Sequence, residues 1–134
     1  MTTTYCYCIE LRTAARKTSA IYDEALAPLG INIAQYSLLK KIRQASQISL
    51  TELAKLSDLD RSTIGRNVKV LERMDLVRTV PGRDQREASV ELTNEGKERL
   101  AASVPAWRAA QTKIETMLGG PDAAQQLHGL LHSF

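Results

Sequence analysis

The residues whose types and spacing point most clearly to chemistry lie between positions 61 and 86. Seven cations fall there (Arg61, Arg66, Lys69, Arg73, Arg78, Arg83 and Arg86) against three acids (Glu72, Asp75 and Asp84), a local excess of four in a chain of 134 residues that carries only +3 overall. Guanidinium and ammonium groups gathered on one short segment suit a polyanion, and a nucleic-acid backbone is a regularly spaced one. At helical spacing Ser62, Arg66, Lys69 and Arg73 share one side, while Ile64, Val68 and Leu71 share the other. Such a helix packs through one face and offers the opposite face to an anion. Arginine pairs with guanine and asparagine with adenine in the major groove, so Arg66, Lys69 and Asn67, with Arg61, Ser62 and Thr63 at the helix start, are the candidate DNA contacts.

Several elements must hold that face in place. Asp60 is the expected N-cap of a helix over residues 61–74, where a carboxylate accepts orphan amide protons and faces the positive end of the dipole. A shorter helix precedes it, opened by a capping box of Ser49 and Glu52, with Leu53 and Leu56 expected to give one buried turn. Residues 57–60 then form the turn, because Ser57 and Asp58 offer the backbone competing hydrogen bonds. Beyond the second helix, residues 76–80 and 88–92 are β-branched, alternate with period two and flank Pro81-Gly82, which reads as a hairpin with an exposed tip. At that tip Asp84 can hold one of Arg83 and Arg86 by an ion pair while the other reaches a phosphate or the minor groove. The pattern is a winged helix-turn-helix.

The stretch from Leu50 to Gly96 resembles the MarR-type winged-helix transcriptional regulators. It carries an L-E-x-x-x-L-V exit from the second helix (Leu71, Glu72, Leu76, Val77), a D-x-R wing (Asp84, Arg86) and an L-T-x-x-G opening of the next helix (Leu92, Thr93, Gly96). Asp75 departs from the glycine usual in the family just past the helix, at a position where aspartate tolerates the left-handed conformation. The resemblance implies that Asp84 and Arg86 order the wing and that Arg83 makes its main DNA contact. It also implies terminal helices that intertwine across a two-fold axis. The reader and wing would then span about residues 32–92, and the dimerisation helices about 9–29 and 94–134, in one domain covering residues 1–134.

The remaining chain supports that plan. Residues 9–29 are rich in helix formers and end at Pro28 and Gly30; Asn32 caps a helix reaching about Ser46 through Leu38, Leu39 and Ile42. Thr93 opens a long helix over residues 94–118, which Pro105 is expected to bend, and Gly119-Gly120-Pro121 separates it from a last helix carrying Leu127, Leu130 and Leu131. The length is that of a single domain, and 43% hydrophobic with 25% charged residues is the composition of an ordinary folded protein. No apolar run approaches the roughly 20 residues that cross a bilayer, and the N-terminus lacks the pattern of a secretory signal, so a cytoplasmic protein is expected.

Other chemistry is thinner. No nucleophile, base and acid fall into a set, no phosphate-binding glycine loop has its strand and helix context, and an enzyme is not expected. His128 and His132 stand four apart without further ligands, so neither a metal nor another cofactor is expected. Cys6 and Cys8, alternating with Tyr5 and Tyr7 at the opening of the first helix, are either small packing residues, a soft-metal pair or redox sensors, since a helix N-terminus and Arg12 would favour a thiolate. In position they resemble the sensing cysteine of the family's organic-peroxide-responsive branch. Many relatives bind aromatic acids between dimerisation helices and reader, which singles out Arg12, Arg16 and Tyr36 as a possible ligand pocket.

The expected fold is therefore mainly α with a small two-stranded β-wing, a winged helix-turn-helix with N- and C-terminal dimerisation helices. The expected function is a homodimeric regulator that binds pseudo-palindromic double-stranded DNA, a repressor released by a small-molecule effector or by thiol oxidation. A winged-helix module that binds only protein is the alternative. Two outward arginines on the wing argue against it.

Overall fold

The computed structural model describes residues 3–82 and 87–134. Six α-helices and three strands follow in the order α1 (Tyr7–Leu26), α2 (Ile33–Ala45), β1 (Ile48–Ser49), α3 (Leu50–Ser57), α4 (Arg61–Arg73), β2 (Val77–Pro81), β3 (Ala88–Leu92), α5 (Asn94–Leu118) and α6 (Pro121–Leu131), with a 3-10 turn at Ala27–Leu29 after α1. Two units emerge: a reader unit of residues 31–104, and a terminal unit of residues 1–30 and 105–134.

In the reader unit each helix is opened by its own side chain. Asn32 accepts from the Gln35 amide (2.8 Å) while the Gln35 side chain accepts from the Asn32 amide (3.0 Å), a full capping box for α2. Ser49 accepts from the Glu52 amide (3.1 Å) to open α3, and Asp60 from the Thr63 amide (2.8 Å) to open α4. Three helices thus present apolar faces to one core: Leu38, Leu39 and Ile42 from α2, Leu53 and Ala54 from α3, Ile64, Val68 and Leu71 from α4. The hairpin adds Val77, Val90 and Leu92. Removing each such leucine or isoleucine from water contributes about 1.5–3 kcal/mol, enough collectively to fix the helices against one another.

Three details depart from expectation. Leu56 is exposed, because the inward face of α3 is centred on Leu53 and Ala54, and a residue three positions after Leu53 falls outside that arc. The sheet has three strands in the order β1-β3-β2, all antiparallel: β1 pairs Ile48 with Val90 and Ser49 with Ser89, while β2 and β3 pair from Val77 with Leu92 to Pro81 with Ala88. The wing hairpin is two-stranded as expected, but its inner edge is covered by a strand too short to show alternation in sequence. Finally α1 begins at Tyr7 and gives way to the 3-10 turn at Ala27, two residues earlier at its start and three at its end than the composition suggested.

Past α4, Asp75 takes the left-handed conformation at φ 61°. Its amide donates to Glu72 O (2.9 Å) and the Leu76 amide to Leu71 O (3.0 Å), the paired bonds of a Schellman stop. Thr93 then joins this stop to α5, its hydroxyl donating to Asp75 O (2.6 Å) and accepting from the Gly96 amide (2.9 Å). A Cβ at residue 96 would lie 2.0 Å from Leu76 O, so only glycine permits this junction.

The terminal unit holds α1, the second half of α5 and α6. Pro105 lies inside α5, which continues as helix through it. Tyr22 donates through its hydroxyl to Gln111 Oε1, tying α1 to α5 within this unit, and burial followed by the charge of Glu115 pushes the Tyr22 hydroxyl pKa up. Among the described residues Leu26 and Ala110 are its only buried apolar side chains, whereas Ile9, Leu11, Met117, Leu118, Leu130 and Leu131 are exposed.

Candidate nucleic-acid interface

Helix α4 carries the interface because its two faces are chemically separated. With Ile64, Val68 and Leu71 buried, geometry leaves Ser62, Arg66, Lys69 and Arg73 outside, and all four are exposed. Thr63 and Asn67 are half-buried at the border between the faces. The glycine at position 65 is the least favourable residue for a helix interior apart from proline, about 1 kcal/mol worse than alanine.

The start of α4 is highly organised. One carboxylate oxygen of Asp60 accepts from both the Thr63 amide and the Ser62 hydroxyl (each 2.8 Å), and Arg66 donates to the Thr63 hydroxyl (3.2 Å). These bonds hold the Asp60 carboxyl down at about 2, the Thr63 amide contributing most and the charge of Arg66 least. Ser62, Thr63 and Arg66 are therefore presented as a set whose rotamers are already chosen, which lowers the ordering cost of binding.

The cations divide into those already paired and those left open. Arg78 on β2 meets its cross-strand partner Glu91 at 2.9 Å, and Arg61 meets Glu87 at 3.4 Å. Among the described residues Arg66, Lys69 and Arg73 have no acid within ion-pair distance, although Arg73 Nε donates to Lys69 O at 3.5 Å. Three charges outside any ion pair among the described residues thus project from one helix face, Arg66 also acting more weakly on Asp60. Arg83, Asp84 and Arg86, expected at the wing tip, lie outside the described residues.

Glu87 is the functional neighbour that sequence reasoning missed. It accepts from the Thr51 hydroxyl, from the Thr51 amide (3.1 Å) and from Arg61 Nε (3.4 Å), so one carboxylate at the root of the wing ties β3 to the first turn of α3 and to the first residue of α4. The Thr51 hydroxyl above all, then the Thr51 amide and Arg61, outweigh partial burial and hold its carboxyl below the usual glutamate range. Thr79 on β2 makes a second tie, donating to Glu72 of α4 at 2.5 Å. The only local signal was an acid following the D-x-R wing; its partner Thr51 is 36 residues away.

The other candidates lie elsewhere. Cys6 and Cys8 are free and exposed at the head of α1, where Tyr5 and Tyr7 meet edge to face with ring centroids 5.4 Å apart. Arg12 and Arg16 are exposed on α1, Arg16 donating to Thr13 at 3.3 Å, while Tyr36 is buried in α2 of the reader unit. The rings of His128 and His132 lie with centroids 4.2 Å apart and planes tilted by 38°, and among the described residues no group of three or more metal-ligating side chains occurs.

With this geometry in hand, comparison with known proteins is specific. A model of the MarR family matches residues 31–87, from the start of α2 to the root of the wing. The structure superposes on the M. tuberculosis transcriptional regulator MosR in complex with DNA, with a TM-score of 0.83 and 34% identity over 95% of this chain and 93% of that one. It superposes equally well on a variant of E. coli MarR complexed with operator DNA, with a TM-score of 0.86 and 25% identity over 92% and 89%. An uncharacterised Bacillus subtilis regulator of the helix-turn-helix type, YhbI, is 31% identical over 90 residues, 66% of this chain but only 58% of its own length. Reader, wing root and flanking helices all agree in kind and order, and the chain belongs to the MarR family.

Proposed function

We propose that the protein is a homodimeric, sequence-specific DNA-binding transcriptional regulator, with α4 seated in the major groove. The observation that carries this reading is the capped helix whose inner face is buried and whose outer face presents Arg66, Lys69 and Arg73, none of them in an ion pair with an acid among the described residues. The DNA complexes of MosR and MarR support it by analogy of fold and sequence. Arg66 and Lys69, with Ser62, Thr63 and Asn67, take the base and adjacent phosphate positions. Arg61, already engaged by Glu87, contributes chiefly by bracing the helix. Arg83 makes the wing contact and Asp84 orders Arg86 beside it.

A second copy of the chain covers the exposed apolar side chains of the terminal unit, and a two-fold dimer matches a pseudo-palindromic site whose half-sites lie about 34 Å apart. No helix among the described residues is long and apolar enough to cross a membrane. Reading chromosomal DNA places the protein in the cytoplasm.

A salt-dependent shift assay on the DNA upstream of its own gene tests the reading. Affinity should fall linearly on logarithmic axes by about 0.9 for each phosphate neutralised, and Arg66→Ala should cost about 1–3 kcal/mol and relax discrimination at one base pair. Replacing Arg83 and Arg86 together by alanine should flatten the slope by about one per subunit if Arg83 alone meets a phosphate, and by about two if both do. Binding to that DNA no tighter than to random duplex would instead favour a protein-interaction role.

A further inference from the structure

We propose that Gly65 is a DNA-positioning residue of the reader: its missing side chain lets the sugar-phosphate backbone of a DNA strand come close to the flank of α4 on which it lies. The inference rests on the DNA-reading function above and assigns a role to a residue at which an added Cβ would meet no described atom within 4 Å.

Most glycines of this chain have a structural reason. Gly30, Gly119 and Gly120 have φ of 74°, 110° and 112°, values that favour glycine. A Cβ at Gly82 or Gly96 would lie 2.0 Å from a backbone oxygen, of Glu87 and Leu76 respectively. Gly129 sits near the C-terminal end of α6, where helices fray and the penalty is small. Gly65 has none of these reasons. It lies in the interior of α4, its backbone is helical, and among the described residues nothing comes within 4 Å of where its Cβ would be. A glycine there weakens the helix, and no contact among the described residues offsets that cost. A ligand seated against that flank would supply the compensation.

The position of Gly65 says what that is. It shares a flank of the helix with Arg61 four residues before, Lys69 four residues after and Glu72 seven after. Arg61 is tied to Glu87 at the root of β3, and Glu72 to Thr79 on β2. These two ties mark the flank turned toward the sheet, and Gly65 lies between them. A helix with its side chains is about 10–12 Å across and the major groove about 12 Å wide, so a helix inserted in the groove has almost no lateral clearance. Removing one side chain from a flank lets the sugar-phosphate wall approach the helix backbone itself. Lys69, one turn on, stands beside that path as a phosphate partner.

The experiment uses the full chain, wild type and as Gly65→Ala and Gly65→Leu, with a duplex selected from a random pool by the wild type. Alanine and leucine favour helix, so both variants should fold, and the thermal midpoint of Gly65→Ala should rise by a few degrees. Affinity for the selected duplex should nevertheless fall about ten-fold for alanine and further for leucine, in order of size. Opposite signs in stability and affinity separate this role from a structural one, which would lower both together. Wild-type affinity in both variants, or a midpoint that falls alongside affinity, overturns the inference while leaving the DNA-reading function intact. A wild type that selects no sequence from the pool overturns that function, and this inference with it.

Discussion

The reader unit and the terminal unit are built from similar helices but finish their packing differently. Sixteen of the eighteen buried apolar residues among those described belong to residues 31–104, while nine of the twelve large exposed ones belong to residues 1–30 and 105–134. Within the reader unit, apolar faces, caps and chain reversals are satisfied internally. Its surface is left free to carry charge. The terminal unit has long helices with Ile9, Leu11, Met117, Leu118, Leu130 and Leu131 in the open, which monomeric proteins rarely tolerate as neighbouring groups. One part is closed by its own sequence, and the other, on the reading proposed above, is closed by a second copy.

Core and interface substitutions should break this contrast in opposite ways. Leu39→Ala removes a side chain with no exposure from the reader core and should cost about 2–5 kcal/mol, read as a lower midpoint in denaturant titration. Leu130→Asp, at a side chain 68% exposed in the single chain, should leave the reader folded yet shift the protein from dimer to monomer in light scattering at micromolar concentration. DNA affinity should then fall because two linked half-sites become two separate binding events. If Leu130→Asp remains a dimer, α6 does not contribute to the interface and the contrast must be redrawn around α1 and α5.

The reader was legible in sequence wherever its determinants are local. Asp60 announces its helix because the cap acts on an amide three residues away, and the burial of Ile64, Val68 and Leu71 follows from helical periodicity alone. Legibility fails where the determinant is distant. The partner of Glu87 is 36 residues away and that of Tyr22 is 89 away, and neither separation leaves a pattern in the chain. Strand β1 was missed because two residues cannot show a period of two, and Leu56 was misplaced because one leucine near a helix end does not define a face. The DNA-contact candidates were legible as types, since a cationic stripe needs only spacing. Which of them are already paired, as Arg61 is to Glu87, required coordinates.

Smaller perturbations sharpen the same contrast, since caps act within the reader unit alone. Asp60→Ala should lower the thermal midpoint by a few degrees and weaken DNA binding, because Ser62, Thr63 and Arg66 lose the group that orders them. The effect carries a pH signature. The Asp60 carboxyl is lowered from 3.8 to about 2 on folding, so its stabilisation is complete above pH 3.8 and disappears as pH falls through 2. The difference between wild type and variant should be constant near neutrality and shrink across that acidic window. A constant difference down to pH 2 would mean that the cap acts through packing rather than through its charge.

The smallest expected effect has the opposite sign. Asp75 ends α4 at φ 61°, a conformation that strains every residue with a Cβ and strains aspartate less than most. Both backbone bonds of the Schellman stop are formed by main-chain atoms, from the Asp75 amide to Glu72 O and from the Leu76 amide to Leu71 O, so they survive any side chain that permits the angle. The Asp75 side chain is exposed and the Thr93 hydroxyl bonds to its carbonyl, again main chain. Asp75→Gly should therefore keep every contact, relieve the strain and stabilise the reader by about 0.5–1 kcal/mol, offset in part by the greater freedom of glycine in the unfolded chain. Asp75→Ala should destabilise by a similar amount, since alanine tolerates the left-handed angle less well than aspartate. Denaturant midpoints of the three proteins order as Gly above Asp above Ala if backbone angle alone governs the site. An order in which Asp stands highest would show that its carboxylate makes a contact of its own, and the stop after α4 would then be held by side-chain chemistry as its start is held by Asp60.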